Sequence, residues 1–273
     1  MKTFIYSLML LLMLSVVAFG QNGATDVEKW RDELLNESGL SEAENIADAA
    51  KYNLGLVWTA QDNSAVLGFI GTDHQRIRIK LLTAVRSGDR DLNTYAIGGA
   101  SLVGTTFRRF TGTITITSFR YREPEDAAFE KELAEQRIKR RAVVLGRYTF
   151  TEEGSDAHTG TFSGIVYSAV YIDADDKAHY DDIELGADGY LNNQFAGRWR
   201  SRDGKLDLVC NWGDYRIPLS GGLDVGDGEF MPAKEYFKNG WQTYYDAYAK
   251  QDAAALKEEQ RQWWRQTKRT KNK

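Results

Sequence analysis

From Asn53 onward the chain alternates apolar and polar positions, and the alternation resumes after each short turn. In Gln75–Arg86, Ile77, Ile79 and Leu81 fall on one side and Arg76, Arg78 and Lys80 on the other, the mark of a strand with one buried face. Thr106–Arg122 repeats the pattern, with Phe110, Gly112, Ile114 and Ile116 set against Thr111, Thr113, Thr115 and Thr117. The same reading predicts strands over Leu54–Ala60, Ala65–Ile70, Asn93–Val103, Ala142–Thr151, Thr159–Ile172 and Ala178–Leu185. The densest stretch is YLNNQFAGRWRSRDGKLDLVCNWGDYRIP, from Tyr190 to Pro218. It reads as strands Tyr190–Arg200 and Leu206–Arg216 joined at Asp203-Gly204, a hairpin signal.

Both flanks change period. Thr25-x-x-Glu28 and Ser41-x-x-Glu44 fit the capping-box pattern and predict short helices over 26–37 and 42–51. After Pro124, the run EDAAFEKELAEQRIKRR predicts a surface helix or connection. Trp241, Tyr244, Tyr245 and Tyr248 stand at helical spacing, an aromatic stripe expected to cover the sheet. Beyond Lys250 the apolar positions thin to Leu256, Trp263 and Trp264, so that tail is expected to be dispensable for folding.

One tripeptide recurs: Phe69-Ile70-Gly71, Phe110-Thr111-Gly112, Phe162-Ser163-Gly164 and Phe195-Ala196-Gly197. In a strand the Phe and the Gly share a face, and a glycine there leaves room for a tight bend or a large neighbour. The expected fold is mainly β, an antiparallel curled sheet or barrel of about ten strands with helices at both ends. The expected divisions are a signal peptide over 1–20, a helical element over 21–52, the β domain over 53–232, and a C-terminal helix with a basic tail over 233–273.

The signal peptide rests on Met1-Lys2-Thr3 followed by FIYSLMLLLMLSVVAFG, with small Ala18 and Gly20 placed for cleavage before Gln21. No later apolar segment is long enough to cross a bilayer, so a periplasmic or extracellular product is expected. The formal net charge is −4, which argues against nucleic acid as a partner. Cys210 is the only cysteine and lies in register with Leu208 and Trp212, the position of a small buried hydrophobe rather than a nucleophile.

Catalytic and cofactor motifs fail on inspection. Gly160-Thr161-Phe162-Ser163-Gly164 puts its serine one place too late for a nucleophile elbow. Gly226-Asp227-Gly228 lacks the third glycine of a dinucleotide loop. His74, His158 and His179 are scattered, without metal-ligand spacing. Asp173, Asp175 and Glu184 match three positions of a calcium loop, but Lys177 and Ala178 occupy its fifth and sixth. In the glycine-rich run 220–229, Asp224, Asp227 and Glu229 offer either calcium ligands or self-satisfied turns. Asp182 and Asp214 form a candidate glycosidase pair only if their separation suits. No cofactor or metal is expected.

The segments NNQFAGRW and CNWGDYRIP, with GFIG and QRIRIK before them and LDVGDGEF after, resemble an uncharacterised family of exported proteins from gut bacteria, over roughly Asn53 to Tyr248. That resemblance implies export and carries no activity. Gly197-Arg198-Trp199 also resembles the Gly-x-Trp of lipocalin-like and other calycin barrels, although it lies late in this chain, and implies a calycin-like barrel. Barrel mouths are frequent ligand sites. The expected function is non-catalytic binding of a small apolar ligand, lipid or glycan, with a glycan-acting hydrolase and an envelope interaction module as alternatives. Tyr190, Asn192, Trp199, Trp212, Asp214 and Arg216 are the candidate ligand-binding residues, as aromatic platforms and hydrogen-bonding groups.

Overall fold

The computed structural model describes residues 26–60, 62–88, 91–155 and 158–265. The expected signal peptide and the end of the basic tail fall outside these residues. The chain divides into two compact units, 1–38 and 39–273. In the first, helix α1 runs over 26–35. Residues 39–52, expected to belong to the helical element, lie in the second unit, where Ala49 and Tyr52 enter the main core.

The second unit holds strands β1 (Val66–Ile70), β2 (Gln75–Arg86), β3 (Thr94–Val103), β4 (Thr106–Tyr121) and β5 (Ile138–Glu152). They are followed by β6 (Gly160–Asp173), β7 (Ala178–Tyr180), β8 (Asn192–Ser201) and β9 (Asp207–Asp214). Every pairing between these strands is antiparallel. β1 pairs with both β2 and β9, and β5 with both β4 and β6, so the order β1-β2-β3-β4-β5-β6-β8-β9 closes on itself. β7 extends the same edge of β6 that β8 occupies, opposite Val170–Ile172 where β8 lies opposite Gly160–Tyr167. Closure leaves these eight strands no unpaired edge.

An eight-stranded barrel is just wide enough for side chains to fill it, and aromatic rings fill this one. Phe195 stacks on Trp212 at 4.7 Å, and Tyr148, Phe150 and Phe162 surround the pair at 5.2–6.4 Å. Cys210 is wholly buried beside them, a small hydrophobe as its register implied. The Phe-x-Gly echo has its reason in the wall: a Cβ on Gly197 runs into Ser163 O and lies 2.6 Å from the Tyr148 hydroxyl. Gly164 faces Gly197 across the β6–β8 ladder, so the two backbones approach where the sheet curls. Gly71 differs, since it turns between β1 and β2 at φ +78° with open space around it.

One end of the barrel is plugged. Leu54–Ala60, expected as a strand, is helix α3 (Gly55–Thr59). Its neighbours Val57 and Trp58 are both buried, which a half-exposed strand forbids and a plug requires. The expected helix over 42–51 shrinks to α2 (Ile46–Ala49). Ser41 N and Asn45 N donate instead to Tyr121 O and Phe119 O, and the Glu44 carboxylate accepts from Phe119 N and Ser118 Oγ. That glutamate caps the end of β4 rather than a helix. The charged run forms helix α4 (Ala127–Glu135), capped by the Asp126 side chain. The expected Ala178–Leu185 strand stops at Tyr180 because the Asp181 carboxylate turns to the Arg141 guanidinium, 2.9 Å away.

The outer wall carries the C-terminal segment. Half of the stripe covers the sheet: Trp241 and Tyr244 lie on Leu67 and Phe69 of β1, with Ile217, Leu223 and Phe230, while Tyr245 packs on Phe237 and Tyr248 is exposed. Helix α5 (Gln242–Tyr248) leads to α6 (Ala253–Glu259), whose Glu259 is buried against Arg76 at 2.5 Å and Arg78 at 3.1 Å. Trp263 then seals Ala100 and Leu102 of β3. The described tail beyond Lys250 is therefore not the solvated end expected, because its Glu259 and Trp263 are buried on β2 and β3 as a strap from outside. Three buried contacts outweigh the thin apolar pattern that suggested otherwise. Among the described residues no helix is long and apolar enough to cross a membrane.

Candidate functional site

The hairpins β1–β2, β3–β4, β5–β6 and β8–β9 all turn at the end opposite α3, and between them lies a cavity of about 470 Å³. Its apolar wall comes from Ile70, Ile77, Val103, Phe162, Trp199 and Leu208, inward or rim positions at the strand ends. The polar lining includes Asp73, Gln75, Arg108 and His158.

Glu152 is the chemical centre of this mouth. Tyr148, Phe150 and Glu152 share the inward register of β5, so the strand delivers a carboxylate where an apolar residue would otherwise sit. Ser101 Oγ donates to one of its oxygens at 2.8 Å, and Gly160 N at 3.0 Å and Trp199 Nε1 at 3.2 Å donate to the other. Arg108 Nε lies 4.0 Å away. Burial pushes the Glu152 pKa up, while the three donors and the Arg108 charge pull the other way. A carboxylate can accept about four hydrogen bonds, so after three a place is left for a ligand donor.

The plugged end holds a second buried carboxylate, Asp214, closed off from solvent. Asn193 Nδ2 donates to it at 2.9 Å and to Val57 O in α3. Ser168 Oγ donates to Asn193 Oδ1 and accepts from Trp58 Nε1, so one hydrogen-bonded chain runs from the plug to β9. Asn193 sits at φ +43° in the irregular pairing of β8 with β9, which frees its amide for this network. Burial lifts the Asp214 pKa to about 7, against the Asn193 amide and the nearby Tyr180 hydroxyl.

The six candidates therefore separate. Trp199 lines the mouth and holds Glu152. Trp212 is core. Asn192 is wholly buried, its amide clasping Ala169 N and O and Asp181 O, and Asp214 belongs to the plugged network. Tyr190 and Arg216 line a groove outside the barrel. Arg216 occupies the glycine-rich loop as a cation would: Asp224 Oδ2 accepts from it at 2.6 Å, and the carbonyls of Gly226, Asp227 and Gly228 at 2.6–3.0 Å. The guanidinium takes up the oxygens that the sequence offered to calcium, and among the described residues no cluster of three metal-ligating side chains occurs. Asp182 is exposed while Asp214 is 3% exposed, so they do not converge on a shared cleft. Glu152 was missed because the predicted strand stopped one residue short. The signal was present in the inward parity of Tyr148, Phe150 and Glu152.

Comparison with protein-family models, with curated proteins and with solved structures finds no match.

Proposed function

We propose that this chain is an exported, non-catalytic binding protein that takes a small, mainly apolar ligand into the open end of its barrel. The observation that carries the reading is the mouth itself: an apolar-walled cavity of about 470 Å³ with one buried carboxylate, Glu152, set into its side. Ligand sites of this size combine apolar lining with a few placed polar groups that fix orientation. The ligand's apolar body lies against Ile77, Phe162 and Trp199, and a hydroxyl or amine at one end donates to Glu152. Export rests on the apolar leader before Gln21.

Native mass spectrometry of freshly purified protein looks for a retained small molecule, and titration with the uncharged apolar dye Nile red reads the empty mouth by fluorescence. Val103→Lys puts a charge on the rim, where Val103 is only partly buried. It is expected to weaken probe binding at least about tenfold, the order that excluding an apolar group from its pocket produces, with the melting midpoint unchanged. Equal probe affinity in the parent and Val103→Lys proteins would overturn the reading.

A further inference from the structure

A second cavity, about 570 Å³, lies outside the barrel wall and is not used by the mouth. Leu67 of β1 and Ala65 just before that strand form its floor. One wall is the turn 185–190, tied by Gly189 N to Gly228 O at 2.8 Å and by the Tyr190 hydroxyl to Asp181 O. The glycine-rich loop, pinned by Arg216, forms the next wall, and α5 the last.

Tyrosines dominate the lining. Tyr190 and Tyr215 meet edge to face at 5.2 Å, and Tyr244 and Tyr248 lie 4.5 Å apart. Tyr248 is 38% exposed, so ring surface is open to a ligand. Asp62, Asp188 and Glu229 add three exposed carboxylates, and none of them is ion-paired to a described residue. The one lining cation, Arg216, is already neutralised by Asp224. Tyrosine faces and uncompensated negative charge in one concave site fit a single class of guest. An organic cation is attracted by the rings through their quadrupoles and by the carboxylates through their charge.

We propose that this groove binds a small organic cation carrying a quaternary or alkyl ammonium group. The inference stands apart from the mouth, which is apolar and lies among the hairpin turns.

Choline is the probe, titrated calorimetrically into the full-length protein beside its uncharged tert-butyl analogue, which has the same shape. Choline is expected to bind about tenfold more tightly than the analogue. Asp188→Asn with Glu229→Gln is expected to erase most of that preference, and Tyr248→Leu to weaken choline several-fold. All three positions are exposed, and thermal melts check that the variants fold. Val103→Lys, which blocks the mouth, should leave choline binding intact. The proposal is overturned by equal binding of choline and its analogue, by no binding of either, by unchanged choline affinity in the carboxylate variants, or by loss of choline binding in Val103→Lys. Binding of a neutral disaccharide in place of choline assigns the groove to glycans and overturns it too.

Discussion

The two ends of the barrel each bury one carboxylate and handle it in opposite ways. At the plugged end, Asp214 sits beneath α3, joined to Trp58 through Asn193 and Ser168, and lines neither the mouth nor the outer groove. At the open end, Glu152 has three donors of its own yet still borders a cavity. A buried acid enclosed by the protein serves the fold even with few donors: Asn193 Nδ2 donates to Asp214, and the Tyr180 hydroxyl lies nearby. One that is satisfied on three sides and open on the fourth can serve a guest. Burial by itself does not separate the cases, since both side chains are nearly inaccessible; the space next to them does.

The largest effect that breaks the symmetry comes from removing the plug. Trp58→Ala is expected to cost about 3–5 kcal/mol, as large buried side chains do, and it also orphans the Ser168–Asn193 chain. Leu206→Ala at the open rim, where Leu206 is 42% exposed, should change stability by no more than about 0.5 kcal/mol. Urea melts of the two variants compare the ends directly, and similar losses would mean that the open rim is structural as well.

The next effect is a pH dependence. The folded Asp214 pKa of about 7 lies above its ordinary 3.8, so the native state holds a proton that the unfolded chain releases. Its stabilising contribution is full below about pH 4 and is lost as pH rises through about 7, by at most about 4 kcal/mol. Asp214→Asn should flatten the stability profile over that window. A profile of unchanged slope in the variant would show that Asp214 ionises freely in the fold.

The smallest effect belongs to Glu152→Gln. Burial raises this pKa too, so the sign is the same, but the donors and Arg108 oppose the shift. The glutamine carbonyl keeps part of that hydrogen bonding, and the expected stability change is within about 1 kcal/mol. Denaturant midpoints near pH 6 read it. A loss as large as that of Trp58→Ala would place Glu152 with the structural acids and remove the contrast between the ends.

Much of the barrel was legible because inward and outward positions alternate: Gln75–Arg86 is β2 to the residue, the predicted 106–122 strand overruns β4 by one position, and the predicted 159–172 strand is displaced by one from β6. The failures share a cause. α3 carries a strand-like composition but plugs a hole, and whether a segment spans a wall or stops an opening depends on closure, which periodicity does not encode. The C-terminal strap was misjudged for the complementary reason: Glu259 and Trp263 are sparse on their own segment and acquire partners only on β2 and β3. The candidate residues were chosen as one dense stretch. A single strand pair runs the length of a barrel, however, so its residues were bound to reach both ends and the outside. Trp199 was found at the mouth for that reason, and Glu152, from a different strand, was not.

The strap also sets an order of events. β1 is completed only by β9, and Arg76 finds its counter-charge on Glu259, 183 residues further along the chain. A chain that emerges N-terminus first from a ribosome therefore exposes the free edge of β1 until β9 has followed, and leaves Arg76 without its counter-charge until α6 has. Such late, long-range pairing makes folding slow, and closure of the barrel waits on the C-terminal third of the chain.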